Sequence, residues 1–573
     1  MSAPRKRQTD FFGPHPTPRP VAGPNGKESR WKPLLLHTRS GPFEGFSSER
    51  DGWIILMGNV GMVCRGAPGK GGNLMAESKA VTPVEGVSGR TEILGLGVAL
   101  AALVAIILLP LPAGLHPAGL RMMAIMVFAV IIWMTEAVPY AVSAAVIVSL
   151  IALALGLGPA LADPTKLMGS SKALGMALSG FSNTAFALVA GAMFISAAMM
   201  ITGLDKRIAL VILSRLGART GRVLAGVIFT GFALSFLVPS TTARVSCMVP
   251  IVMGIIVAFG VDRRSRFAAV LMIATAQADS LWNVGIKTAA AQNMIAVSFI
   301  EKQLHYSVSW LEWFVAAAPF SAVMSVILYF LLMKLLPPEV DEIEGGKATI
   351  AAKLAELGPM TAGEKKLLTI SLILLCFWTT EKVLHDFDTS TTTMVAITLM
   401  LVPRIGVMDW KDAQARIGWG TLILFGVGIS LGQCLLDTGA ASWMAKYIVA
   451  TFGMENFPAI GIVAVLALFL IVVHLGFASA TGLAAAMIPI IIAVLQSIKT
   501  PGINIVGMTM IAQYVVSFGF ILPVNAPQNM VVYCTETFQS KDFIRTGIPL
   551  TIIAYIMILV MSATYWRWLG LTG

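Results

Sequence analysis

Apolar runs long enough to cross roughly 30 Å of hydrocarbon recur from residue 93 to residue 566 of the 573-residue chain. Eleven are continuous, at about 93–110, 120–139, 141–157, 185–201, 267–299, 313–333, 367–384, 390–403, 419–436, 503–532 and 548–566. Only 12% of the residues are charged, against the roughly 25% of a soluble domain. A transmembrane β-barrel is excluded, because its strands read as short alternating segments rather than long apolar ones. The fold class expected is an all-α polytopic membrane protein.

Two further apolar stretches, 223–259 and 459–495, carry polar residues near their middles. Two full crossings in each would leave arms of about 15 residues, which is short for a span. A re-entrant hairpin fits better, its polar tip buried in protein or facing a water-filled cavity. With a cytoplasmic N-terminus, eleven crossings and two hairpins, eighteen Lys/Arg fall in inner loops and eight in outer segments. That asymmetry satisfies the positive-inside rule. Arg219 and Arg222 before the first hairpin, and Arg263, Arg264 and Arg266 after it, put both its ends on the cytoplasmic side.

The net charge of +11 does not indicate a nucleic-acid partner, since the basic residues sit in a tail and in short loops between apolar runs. Residues 1–90 hold thirteen Lys/Arg and seven Asp/Glu among Pro, Gly and Ser, and read as a disordered tail. Met75-Ala-Glu-Ser-Lys reads as an alternative start. Gly66-Ala67-Pro68-Gly69-Lys70-Gly71 lacks the Ser/Thr and the preceding strand of a phosphate loop. The five cysteines show no metal or disulfide spacing.

An internal duplication organises the rest. Trp133-Met-Thr-Glu136 recurs as Trp378-Thr-Thr-Glu381, and Thr202-Gly203 as Thr438-Gly439. Ser240 to Pro250 matches Ser479 to Pro489, Ala276-Gln277 matches Ala512-Gln513, and Gln292-Asn-Met294 matches Gln528-Asn-Met530. Most of these pairs lie 236 to 239 residues apart and all keep the same order. Each copy holds an odd number of crossings, so the second is inverted. The segment after Thr202-Gly203 carries five Lys/Arg and that after Thr438-Gly439 only Lys446. The expected organisation is a first repeat at 91–336, a cytoplasmic linker at 337–366 and a second repeat at 367–573. Inverted repeats with discontinuous helices are a secondary-transporter architecture, with the site near the midplane.

At these residues the chain resembles the divalent anion:sodium symporter family, which includes citrate, succinate, malate and 2-oxoglutarate carriers; the resemblance covers roughly residues 90–573. That family places Ser-Asn-Thr at each hairpin tip, followed by a broken helix ending in Pro-x-Asn. The matching triplets are Ser240-Thr241-Thr242 and Ser479-Ala480-Thr481, and the broken segments are Trp282 to Asn293 and Leu522 to Asn529. The resemblance implies a homodimer in the inner membrane whose transport domains move like elevators against scaffold domains. It further implies secondary transport of a di- or tricarboxylate, by sodium symport or anion exchange. The substrate residues it assigns are Ser240, Thr241, Thr242, Arg244, Asn293, Ser479, Ala480, Thr481, Pro527 and Asn529. Cation positions would be Ser240, Gly285, Ser479, Asn525 and Ala526, with Lys287 as a cation surrogate and Na⁺ as the candidate coupling ion.

The chemistry also stands without the family. Hydroxyls and backbone N–H groups at hairpin tips suit a carboxylate, and half-helix dipoles add favourable potential. Both central Asn residues of the triplets are replaced, by Thr241 and Ala480. Arg244 follows the first triplet as in the family's exchangers, and Lys287 stands where the family has an uncharged turn. A charge at membrane depth is functional or paired. Arg244 is therefore a substrate or cation-surrogate residue, or an ion pair with Asp279; Asp279 reads as the partner of Arg244 or Lys287. His474 reads as a hydrogen-bonded helix histidine, and Glu136 and Glu381 as structural hydrogen-bond partners. An intramembrane enzyme is disfavoured, because neither His-Glu-x-x-His nor paired Asp residues occur at depth. A sulfate or oxyanion carrier and an anion channel remain the rival functions.

Overall fold

A computed structural model of the chain describes residues 89–573 apart from 217–218, 259 and 341–345. The tail reading of residues 1–90 thus lies outside the described residues except at Gly89 and Arg90, which begin the helix Gly89–Ile107. Among the described residues every regular element is helical; the β-type pairings are two isolated bridges, Pro159 with Leu167 and Glu381 with His385.

Among the described residues six helices are long and apolar enough to cross a bilayer: Pro117–Thr135, Thr184–Thr202, Trp310–Leu335, Trp419–Asp437, Ala480–Ser497 and the run Ser540–Trp568. Some of the other expected spans are shorter helices. Thr389–Leu401 has 13 residues, about 20 Å at 1.5 Å per residue. Asp388 caps its first turn, accepting from Ser390 N at 2.8 Å and Thr391 N at 3.1 Å. At its other end Val402, ahead of Pro403, adopts extended backbone.

The polar interruptions at 236–240 and 475–479 each separate two helices. Thr220–Ser235 and Thr241–Ala258 have 16 and 18 residues, as do Ala459–His474 and Ala480–Ser497. These arms exceed the expected 15 or so residues, because the outgoing helix begins within the polar triplet itself. The apolar runs 267–299 and 503–532 are broken rather than continuous. The first is Arg266–Gly285, a 3₁₀ turn at Lys287–Ala289, then Ala291–Leu304. The second is Ile505–Val516, a 3₁₀ turn at Pro523–Asn525, then Pro527–Tyr533.

One side chain makes each break tolerable. Asn293 Nδ2 donates to Asn283 O at 2.7 Å and Ile286 O at 3.2 Å. Asn529 Nδ2, 236 positions on, donates to Gly519 O at 2.7 Å and Leu522 O at 3.4 Å. Ile286 O and Leu522 O also accept the turn N–H groups of Ala289 and Asn525, both at 3.1 Å, while Asn283 O and Gly519 O lie at the break itself, where a buried orphan costs as much as a lost hydrogen bond. Arg266–Gly285 forms the centre of the molecule, burying every residue from Phe267 to Gly285. Its polar residues Gln277, Asp279, Ser280 and Asn283 are buried with the apolar ones, so they have to find partners inside the protein.

Several helices lie outside the expected spans. Gly203 and Gly439 both take left-handed backbone, at φ 73°, and turn the chain into Leu204–Leu216 and Ala440–Phe452. The expected linker contains a helix of its own, Gly346–Glu356. Its exit is pinned by a fork from Arg207, whose Nε and Nη2 donate to Glu364 Oε1 at 2.6 Å and Oε2 at 3.2 Å. Nη1 of the same arginine donates to Gly358 O at 2.9 Å, and Glu364 closes a capping box with Thr361.

Burial alone would push the Glu364 carboxyl up, but the Arg207 fork and the Thr361 N–H outweigh it and hold it below the ordinary glutamate range. The ionised form is therefore the stabilising one. Its contribution is present at neutral pH and lost as pH falls through the lowered value. Glu364→Ala is expected to cost about 1–3 kcal/mol, read by unfolding in mixed micelles. The gap to the unsubstituted protein should close on acidification; a gap constant with pH would refute the ionic account.

Candidate functional site

The two polar tips and the two helix breaks converge on one cavity of about 390 Å³, within the ~300–1,000 Å³ of small-molecule sites. Ser240, Thr241 and Thr242 line it from the first tip, and Ser479, Ala480 and Thr481 from the second. From the breaks come Ala290, Ala291 and Gln292 on one side and Ala526, Pro527 and Gln528 on the other.

The local backbone explains why this cavity suits an anion. Thr241–Ala258, Ala480–Ser497 and Ala291–Leu304 all begin at its wall, so three helix N-termini present unsatisfied N–H groups and positive dipole ends. Ser479 N-caps its helix, accepting from Gly482 N at 3.3 Å, and Ser240 Oγ accepts from Ala243 N at 3.4 Å. Thr241 Oγ1 donates to Asn283 Oδ1 at 2.7 Å, tying the first tip to the first broken helix. Two cross-links join the breaks: Gln528 Nε2 donates to Ser280 Oγ at 3.0 Å and Gln292 Nε2 to Ser517 Oγ at 3.4 Å.

The remaining expected residues stand behind the wall. Arg244, fully buried, donates through Nε to Asp279 Oδ1 at 2.7 Å. Its Nη1 donates to Val238 O at 2.7 Å and Ala289 O at 3.0 Å, and its Nη2 to Asn283 Oδ1 at 2.8 Å. One guanidinium thus holds the first tip, the first break and the central helix together. It does not line the cavity.

Lys287 also turns away from the cavity, its Nζ donating to Val308 O at 2.7 Å and Thr389 Oγ1 at 3.4 Å. Thr389 in turn donates to Glu381 Oε2 at 2.8 Å, so Glu381 serves as a hydrogen-bond partner. Gly285 is a point of close approach: an added Cβ would lie 2.9 Å from Ser321 Oγ and from the Trp282 ring. Asn293 and Asn529 are the clamps already described.

The second tip is held differently. Asn525 Nδ2 donates to His474 O at 2.9 Å, Phe477 O at 3.2 Å and Leu475 O at 3.3 Å, and its Oδ1 accepts from Leu522 N at 3.1 Å. His474 Nε2 lies 3.3 Å from Asn525 O, closing the loop. Among the described residues no cluster of His, Cys, Asp or Glu is placed to hold a metal ion.

The far wall was not anticipated from sequence. It comes from helices outside the tips and breaks: Leu188, Val189 and Met193 supply apolar surface, and Tyr140, Thr393 and Arg416 supply polar atoms. Tyr140 donates to Glu136 Oε1 at 2.9 Å. For Gln292 and Gln528 a signal did exist, since both stand in the repeated Gln-Asn-Met strings. Tyr140 and Arg416 carry no such mark.

The family described as "Sodium:sulfate symporter transmembrane region" matches residues 90–572. A protein of Cupriavidus necator named "Membrane protein" is 56% identical over 476 residues, covering 83% of this chain and 93% of that one. The L-tartrate/succinate antiporter of Escherichia coli (strain K12) is 27% identical, over 82% of this chain and 96% of its own length. The sodium-dependent dicarboxylate transporter SdcS of Staphylococcus saprophyticus is 24% identical, over 82% and 90%.

Proposed function

The chain belongs to the sodium:sulfate symporter family of multi-pass membrane proteins, the divalent anion:sodium symporters, which are transporters and not enzymes, and from that premise we propose that it exchanges di- or tricarboxylate anions across the inner membrane. The tip residues Ser240 to Thr242 and Ser479 to Thr481, with the helix N-termini beside them, bind one carboxylate of that anion. The apolar wall of Leu188, Val189 and Met193 suits a carbon-chain anion better than a compact tetrahedral oxyanion such as sulfate.

One observation favours exchange over sodium symport. At the first tip Arg244 Nη1 already donates to Val238 O and Ala289 O, the kind of facing carbonyls that would otherwise coordinate a hard cation. A fixed protein cation in that position makes a mobile one redundant. Lys287 adds a second fixed positive charge in the same break. At the second tip the neutral Asn525 amide meets the carbonyls instead, so symport through a sodium ion there is the competing reading. The sodium dependence in the name of SdcS belongs to a relative of this family and favours that competitor.

The matched clamps of Asn293 and Asn529 support two inverted repeats, 91–336 and 367–573, around the linker 337–366. In that architecture eleven crossings and two re-entrant hairpins form a scaffold domain and an elevator-type transport domain in each protomer of a homodimer, with the N-terminus cytoplasmic. Proteoliposomes decide the coupling. Uptake of labelled succinate should require internal dicarboxylate and proceed equally in Na⁺ and in choline. Full uptake into empty vesicles driven by a Na⁺ gradient would overturn exchange, and unsaturable conductance would favour a channel.

A further inference from the structure

Three basic side chains stand near the cavity, and two are already committed. Arg244 spends its guanidinium on Asp279, Asn283 and two carbonyls, and Lys287 points to Val308 O and Thr389. Among the described residues lining the cavity, Arg416 is the one basic side chain, and no Asp or Glu lines it. We propose that Arg416 is the residue that selects divalent over monovalent anions, pairing with the substrate carboxylate that the hairpin tips do not hold. The proposal rests on the carboxylate-transport reading above.

The guanidinium is free to do this. Nη1 of Arg416 donates to Asp412 O at 3.1 Å and lies 3.7 Å from Asp412 Oδ1, with both side chains about half exposed. An exposed i,i+4 pair of that length holds an arginine weakly. Nε and Nη2 have no protein partner among the described residues, which leaves one edge of the fork for a bidentate carboxylate.

The mounting is firm although the side chain is not. Arg416 ends the helix Trp410–Arg416, which Asp409 caps by accepting from Asp412 N at 2.7 Å. Trp410 packs on Phe194, their rings 5.7 Å apart, and Trp419 Nε1 donates back to Gln414 O at 3.1 Å. Gly418 and Thr421, just beyond, line the same cavity.

Charge balance gives the physical reason for a second, separate cation. Hydroxyls, backbone N–H groups and helix dipoles at the tips solvate one carboxylate well. A second carboxylate on the same molecule leaves water for a cavity whose near wall offers no formal charge. Without a counter-ion that desolvation would be unpaid, and a monoanion would bind as well as a dianion. Arg416 lies on a helix distinct from those of the tips, so it meets the other end of the substrate.

The test compares succinate with succinamate, in which an uncharged amide replaces one carboxylate, as competitors in the proteoliposome assay with the full-length protein. Wild type should prefer succinate strongly. In Arg416→Gln the apparent KM for succinate should rise roughly ten- to a hundredfold, the range of one charged hydrogen-bonded contact. Inhibition by succinamate should stay unchanged, so the preference collapses. Arg416→Lys, which keeps the charge but not the fork, should recover part of it. Thermal stability should be the same in all three, because the Asp412 pair is exposed.

Loss of affinity for both compounds by the same factor, or for neither, overturns the role of Arg416 while leaving carboxylate transport intact. Failure of wild type to take up or bind any dicarboxylate overturns the transport reading, and the selectivity role with it.

Discussion

Arg244→Ala is expected to be among the most damaging single substitutions in the protein, costing about 3–5 kcal/mol and abolishing transport. The change strands a carboxylate: Asp279 is 1% exposed, and Arg244 is its ion-pair partner at 2.7 Å. It also removes the donor to Val238 O, Ala289 O and Asn283 Oδ1 together. Each buried group left unsatisfied adds its own desolvation penalty. Arg244→Lys should fare little better. An ammonium is a point donor and cannot span Asp279, the tip carbonyl and the break carbonyl at once, as the planar fork does.

A double substitution separates the two jobs of this arginine. Removing both charges, as in Arg244→Met with Asp279→Ala, should recover much of the stability, because replacing a buried ion pair by apolar groups is often nearly neutral. Transport should stay lost, since Val238 O and Ala289 O would still lack the donor that fixes the first tip against the first break. Unfolding in mixed micelles reads the first quantity and counterflow the second. Recovery of both in the double variant would reduce Arg244 to a mere charge partner for Asp279.

How much of this was legible in sequence follows from what each feature depends on. Apolar length and charge asymmetry report solvent class, so the all-helical membrane character was visible at once. The breaks at 286 and 517–522 and the triplets at 240–242 and 479–481 were visible because matched strings stand beside each of them. Arg244 was visible as a charge out of place, but not its direction: three alternatives fitted the sequence, and only the fold shows the guanidinium turned behind the cavity wall. Arg416 was invisible for the opposite reason. It sits in a short polar helix where an arginine is unremarkable, and counts in the sequence as one more inner-loop charge. What brings it to the cavity is the packing of Trp410 on Phe194, a contact between residues more than two hundred positions apart. Local pattern cannot carry a contact of that separation.

The asymmetry of the two half-sites yields the second large effect, at Asn525. In the first half-site a charged donor from the outgoing arm meets the tip carbonyl Val238 O and reaches the break at Ala289 O. In the second the same task falls to a neutral amide from the break itself: position 525 lies 236 residues after 289, the spacing of the matched strings, and Leu483 lies 239 after Arg244. Asn525→Ala therefore empties the second clamp, leaving His474 O, Leu475 O and Phe477 O without their shared donor. At about 1–3 kcal/mol for a buried group, the second tip should loosen and exchange should fall at least tenfold. Asn525→Asp is the more telling change. It keeps the acceptor for Leu522 N but aims a carboxylate at the facing carbonyls, which repel it unless a cation enters between them. Oxygen ligands of that kind suit a hard cation such as Na⁺. The aspartate variant should therefore be destabilised in choline and regain thermal stability as Na⁺ is added, whereas the wild-type protein should show no such dependence if exchange is sodium-independent. A wild type that is itself stabilised by Na⁺, with the Asp variant no different, would mean the second half-site already holds a cation, and the exchange reading would give way to symport.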